Sequence, residues 1–169
     1  MASGDNIEER RAYEVIAEVG CEGPPLDFGP ILERHGIDLM PKAFNYVSGV
    51  LIKDPIYTLL VVNENDPEPR RRFTIAHELG HFFLEHAGRR FAEPSSDDPP
   101  QERAANRFAA ALLMPEDWLR AAWEDYRDNP DHRPDIIAEM FGVSAEALKV
   151  RLKELGIADP PGKSAVQPP

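Results

Sequence analysis

His77, Glu78 and His81 sit in the stretch His77-Glu-Leu-Gly-His81, inside an apolar segment spanning residues 73–84. Two histidines four residues apart project from one face of a helix, so their neutral imidazoles can close on a single Zn²⁺. A glutamate beside them can activate a water held by that metal. The chemistry implied by this spacing is zinc-dependent hydrolysis of a peptide bond. The competing account is a pair of solvated surface histidines that arose by chance. The flanks favour the first account. With Ile75 as the origin of a helical wheel, Leu79, Phe82 and His86 fall near it, and His77 and His81 fall together on the far side. An apolar stripe can then enter a core while both histidines look out of it. Glu78 flanks the pair, within reach of a ligand on the metal without being one. His86 falls on the buried stripe and reads as a structural histidine.

A zinc hydrolase ordinarily takes three protein ligands and leaves the fourth position to water. The metzincin pattern needs Gly and His three and six residues beyond the motif; Leu84 and Ala87 stand there, which excludes it. The other common solution is a glutamate from a following helix, and Glu102, Glu93 and Glu116 are available. Glu102 is the strongest, because it shares a helical face with Asn106, Ala109 and Leu113. The small Ala105 and Ala109 would let its helix approach closely. Glu93 lies in a Pro/Ser loop, and Glu116 follows Pro115, where a first-turn acid is explained by the helix N-terminus. The same preference, after Pro100, is the competing account of Glu102. Asn106 is either a partner to a ligand or a packing polar group. Tyr46, Tyr57, Tyr126 and His132 are conceivable donors to an oxyanion, and nothing in the sequence chooses among them.

The elements that must position these residues read as follows. An amphipathic helix is expected over 6–19, a second over 27–35, and strands over 44–52 and 56–62 joined by a turn at Asp54-Pro55. The 56–62 strand is a core strand that could also bind substrate by strand addition. Arg70-Arg71-Arg72, near Glu64, Asp66 and Glu68, reads as a salt-bridged entrance to the metal-site helix. A loop over 88–100 leads to helices over 101–114 and 116–126, a linker, and two short helices within 135–155. The Pro-rich end, 158–169, reads as a disordered tail. The fold class expected is α+β: mostly helical, with a small antiparallel sheet packed on the metal-site helix and a helix-turn-helix-like pair at the C-terminus. The expected divisions are an N-terminal helix and turn (1–25), a catalytic unit (26–127) and the helix pair (133–157).

The chain has 169 residues and a formal net charge of -11, which argues against strong nucleic-acid binding by the whole surface. Its one cysteine, Cys21, cannot form an internal disulfide and reads as structural in a reducing compartment. No apolar run reaches membrane-spanning length and no signal-peptide core opens the chain, so a soluble, cytoplasmic protein is expected.

Two blocks, residues 72–81 around the metal motif and Glu102-Arg-Ala-Ala-Asn-Arg-Phe-Ala-Ala-Ala-Leu-Leu-Met-Pro115, resemble the ImmA/IrrE family of metallo-endopeptidases. The two strands before them and residues 141–156 resemble it too. The likeness runs over about 26–157. It implies a gluzincin-like fold, with His77, His81 and Glu102 as zinc ligands and Glu78 as general base. It also implies a protein substrate, typically a helix-turn-helix repressor whose cleavage relieves repression of mobile-element or stress-response genes. The chain departs from the family at Ala104, where an acidic residue is common. This leaves Glu102 without a rival inside its block.

The alternative is a DNA-binding regulator that uses the C-terminal helix pair, with a structural or sensory metal site. Arg133, Lys149, Arg151 and Lys153 are balanced there by Asp135, Glu139, Glu146 and Glu154. A DNA-reading helix normally carries a basic excess, so direct nucleic-acid contact is the less favoured reading.

Overall fold

Helix boundaries follow caps and prolines in the chain. A computed structural model describes residues 6–86 and 99–157. Helix α1, Ile7–Val19, starts at Asn6, whose side chain accepts from the Glu8 N–H, and stops at Gly20 in the left-handed region. Helix α2, Gly29–His35, carries Pro30 in its first turn. Three strands follow: β1, Ile37–Lys42; β2, Gly49–Lys53; and β3, Thr58–Asn63. Helices α3, Glu68–Phe83, and α4, Pro100–Leu113, come next. Last are α5, Glu116–Asp125, α6, Arg133–Phe141, and α7, Ala145–Glu154, which is capped by Ser144. The sequence expectation for 88–100 falls mostly, and that for 158–169 wholly, outside the described residues, as does Glu93.

The architecture is α+β, and its sheet has the order β1-β3-β2. The expected hairpin is present: β2 runs antiparallel to β3 with Leu51 opposite Leu60. Asp54 makes its turn, donating its N–H to the Tyr57 carbonyl (2.9 Å) and accepting from the Ile56 N–H through its side chain (3.1 Å). The sheet is mixed, however, because β1 adds to the other edge of β3 in parallel. Sequence pattern hides β1, since only Ile37 among its six residues is buried and Pro41 interrupts it. An edge strand tolerates both features. The stretch before β2 is irregular rather than strand. Asn63 holds it, accepting from the Phe44 N–H (3.2 Å) and donating to the Phe44 and Val47 carbonyls (3.1 Å each).

One apolar cluster runs from α1 to α7 and includes Val15, Leu60, Leu79, Phe108, Phe141 and Leu148. Buried Arg151 ties its ends together, reaching Glu9 (2.8 Å), the Tyr13 hydroxyl (3.3 Å) and the Met114 carbonyl (3.4 Å). Helices α3 and α4 pack closely at Gly80. A Cβ there would stand 3.0 Å from the Ala105 Cα and 3.2 Å from the Phe108 ring. The small Ala105 anticipates this contact; glycine on the facing helix completes it. Of the arginine run, Arg70 pairs with Asp66 (3.4 Å) and Arg71 with the Glu64 carbonyl (3.2 Å). Arg72 instead turns inward to the Leu26 carbonyl (2.8 Å) and lies over the Phe28 ring.

Candidate metal centre

Helix α3 supplies His77 and His81 one turn apart, and α4 brings Glu102 across the Gly80–Ala105 contact. The His77 and His81 Nε2 atoms are 3.0 Å apart. Glu102 Oε2 lies 3.2 Å from His77 Nε2, and Oε1 lies 3.4 Å from His81 Nε2. These three residues form the one group among the described residues able to offer three such ligand atoms to a metal, all within 4.8 Å. Glu102 does stand in the first turn of its helix. A first-turn position and a position facing the two histidines are therefore compatible. Glu116 is placed elsewhere, paired with Arg120 at 2.7 Å.

The outer nitrogens of both imidazoles are engaged. His77 Nδ1 is 2.9 Å from Asn106 Oδ1; an amide oxygen only accepts, so that nitrogen carries the proton and Nε2 keeps its lone pair for the site. Asn106 is thus a partner to a ligand candidate. His81 Nδ1 is 2.9 Å from His86 Nδ1. His86 does not sit on a buried helical stripe, as the wheel suggested. Helix α3 ends at Phe83, and Glu85 takes a left-handed conformation (φ 54°). The His86 N–H then closes back onto the His81 carbonyl (3.0 Å). A non-glycine residue in that conformation costs about 1–2 kcal/mol. Phe82 also leaves the expected stripe: it is half-buried and lines the cleft, and Phe83 takes its place in the core.

Burial pushes the Glu78 carboxyl up to about 7, with the negative charge of Glu102 adding to it and a hydrogen bond from the Leu51 backbone opposing it. Burial pushes His81 down to about 4, helped by His77 and His86 and opposed by Glu102. An imidazole neutral at pH 7 is the form that binds metal.

The residues face an open cleft of about 1130 Å³. Strand β2 lines one side through Gly49, Leu51 and Lys53; α3 contributes Phe73 and Phe82; the α6–α7 turn contributes Val143 and Ser144, and α7 contributes Ala147. Of the four oxyanion-donor candidates, Tyr46 lines the cleft, and Tyr57, Tyr126 and His132 are not among its lining residues. Strand β3 is central, with both edges paired, so strand addition there is excluded. Among the described residues, the edge beside the site that pairs with no other strand belongs to β2. Ser48 accepts from the Asn63 N–H and Asp54 donates to the Tyr57 carbonyl, so the alternation turns the backbone groups of Gly49, Leu51 and Lys53 away from β3. Neither the β2 edge nor the Leu51–Glu78 bond has a signal in local sequence, because both arise from contacts between distant segments.

Comparison with known proteins agrees with this geometry. A search of curated proteins found no match to the chain. A solved structure described as a Mycobacterium tuberculosis transcriptional regulator is similar in fold, with a TM-score of 0.59 at 20% sequence identity. That match covers 87% of this chain and 47% of the other, so the chain spans about half the length of the structure it resembles. The peptidase M78 family model, described as the IrrE N-terminal-like domain, matches residues 32–153, which hold every residue of the His77–His81–Glu102 group. The chain belongs to the M78 peptidase family, the group of IrrE N-terminal-like domains.

Proposed function

We propose that the chain is a zinc-dependent endopeptidase that cleaves another protein, a helix-turn-helix repressor, at a specific bond. One observation carries this reading: two imidazole nitrogens and a carboxylate converge on one point, with Glu78 beside them on the floor of an open cleft. The donor set supports zinc. Tetrahedral ligands about 2.0–2.1 Å from a zinc ion lie about 3.3 Å from one another. The separations of 3.0, 3.2 and 3.4 Å sit around that value. Two neutral imidazoles and one carboxylate also leave a fourth position open.

Bound zinc would supply a Lewis acid and lower the pKa of a water toward neutrality. The protein's own residues do the rest. Glu78 accepts the proton of the attacking water and returns it to the leaving nitrogen. Asn106 holds His77 in the tautomer that leaves Nε2 free. An extended substrate strand lies along the free edge of β2, where Gly49 and Lys53 offer backbone groups and main-chain pairing fixes register. Tyr46, exposed at the cleft rim, is the donor we assign to the developing oxyanion.

The test is a cleavage assay on the full chain with zinc and a panel of helix-turn-helix repressors. The wild type cuts at one bond, and Glu78→Gln binds zinc and does not cut. Cutting that continues in Glu78→Gln, or that survives removal of the metal, refutes the reading. Direct reading of DNA by α6 and α7 is disfavoured. Arg151 is buried, and Arg133 is spent on the Tyr126 and Arg127 carbonyls, leaving two of the four cations facing solvent.

A further inference from the structure

His86 has no part in the mechanism above, yet the fold takes trouble to place it. At 100° per residue, a helix continued past Phe83 would carry residue 86 about 140° around the axis from His81. The left-handed turn at Glu85 instead brings the His86 ring beside the His81 ring, with centroids 5.0 Å apart. The contact is made on the outer side of His81, nitrogen to nitrogen at 2.9 Å. A hydrogen bond between two ring nitrogens needs a proton on one of them, and the tautomers decide which one donates. On the metal-site reading His81 Nε2 keeps its lone pair for the metal, so its Nδ1 carries the proton and His86 Nδ1 accepts it. The nearly buried Glu8 of α1 lies within electrostatic range of His86. Glu8 is itself ion-paired with Arg107 of α4. The arrangement matches what Asn106 does for His77, one acceptor for each ligand candidate.

We propose that His86 is a positioning residue: it fixes the tautomer and ring orientation of His81, and through them the strength with which the site holds its metal. This rests on the metal-site reading of the preceding subsection. His86 is not itself a fourth ligand, because its bonded nitrogen meets the face of His81 that points away from Glu102.

The experiment measures zinc affinity of the full chain by competition with a chromophoric chelator, and records the visible spectrum of the cobalt-substituted protein. His86→Phe keeps a ring of similar size and removes the acceptor; His86→Asn keeps an acceptor oxygen near the position of Nδ1. The expected result is a loss of roughly 10–100-fold in affinity for His86→Phe, with a shifted cobalt spectrum, and recovery of both in His86→Asn. Should His86→Phe fail to fold, His86→Ala takes its place in the same comparison. Equal affinity in wild type and His86→Phe overturns the proposal. So does a loss that His86→Asn fails to restore, because packing rather than the acceptor would then be what matters. Peptidase activity lost with affinity and spectrum unchanged also overturns it, since His86 would then touch substrate. A wild-type chain that takes up no zinc refutes the metal reading itself, and this inference with it.

Discussion

Glu78 and His81 are neighbours on one helix whose protons pull stability in opposite directions. In the metal-free protein Glu78 titrates near 7, above its ordinary 4.5, so between those values the folded chain keeps a proton that the unfolded chain has released. Its contribution to stability is full below that window and is lost as pH rises through it. His81 titrates near 4, below its ordinary 6.5, so its contribution is full above that window and is lost as pH falls through it. The two offset each other in the wild type, and single substitutions separate them. Glu78→Gln, still able to accept from the Leu51 N–H, is expected to match wild type near pH 4. At pH 8 it should exceed wild type by on the order of 1–3 kcal/mol in denaturant unfolding of chelator-treated protein. A metal reverses the logic, because a dication favours the ionised carboxylate. Added zinc is expected to raise the Tm of the wild type and of Glu78→Gln, and to leave Glu102→Ala nearly unmoved. Much at this scale was legible in advance. Ligand spacing of four and the shared face of Glu102 and Asn106 are periodic signals. His86 was illegible, because a wheel assumes an unbroken helix and the left-handed turn at Glu85 breaks it.

At the scale of elements, the site depends on how closely two helices approach. Gly80 faces the backbone of Ala105, which cannot swing aside as a flexible side chain could. Gly80→Val adds bulk to that contact, and overpacking of this kind costs about 1–3 kcal/mol, more than the roughly 0.5 kcal/mol that helix propensity returns. Moving α4 away also carries Glu102 off the histidines. The expected outcome is a lower Tm together with weaker zinc binding, measured by melting and by chelator competition. A stable variant with unchanged affinity would show that the approach of α3 and α4 does not set the ligand geometry. The helices could be read from periodicity, and the hairpin from the turn at Asp54-Pro55. Strand β1 could not, because an edge strand with one buried residue carries no alternation. Its parallel pairing with β3 is a long-range choice made by the packing of the sheet.

Across the whole molecule, α6 and α7 belong to the same core as the metal-site helix. Arg151 is 2% exposed and bonded to α1 and to the end of α4. Arg151→Ala leaves Glu9 and the Met114 carbonyl without their partner, and breaking a buried pair in this way costs about 3–5 kcal/mol. Lys149→Ala and Lys153→Ala, at exposed positions, are expected to stay within about 0.5 kcal/mol of wild type. Urea titrations of the three variants check both statements. If the helix pair read DNA, the lysine variants would instead lose affinity for a duplex with a reduced salt dependence. The net charge of -11 sets the general field against such binding. Among the described residues, no helix is long and apolar enough to cross a membrane.

Val143, Ser144 and Ala147 form one wall of the cleft while Phe141 and Leu148, close by in sequence, lie in the core. Shortening the protein is therefore not a neutral act. A chain ended at Asp131 would keep His77, His81 and Glu102 and still lose one wall of the cleft. It would also remove Ile137, Phe141, Leu148 and Leu152 from the shared core. On the proposed peptidase reading, such a fragment is expected to aggregate or to cut less selectively than the full chain. On that reading, selectivity depends on α6 and α7 as much as on the five residues that first mark the site.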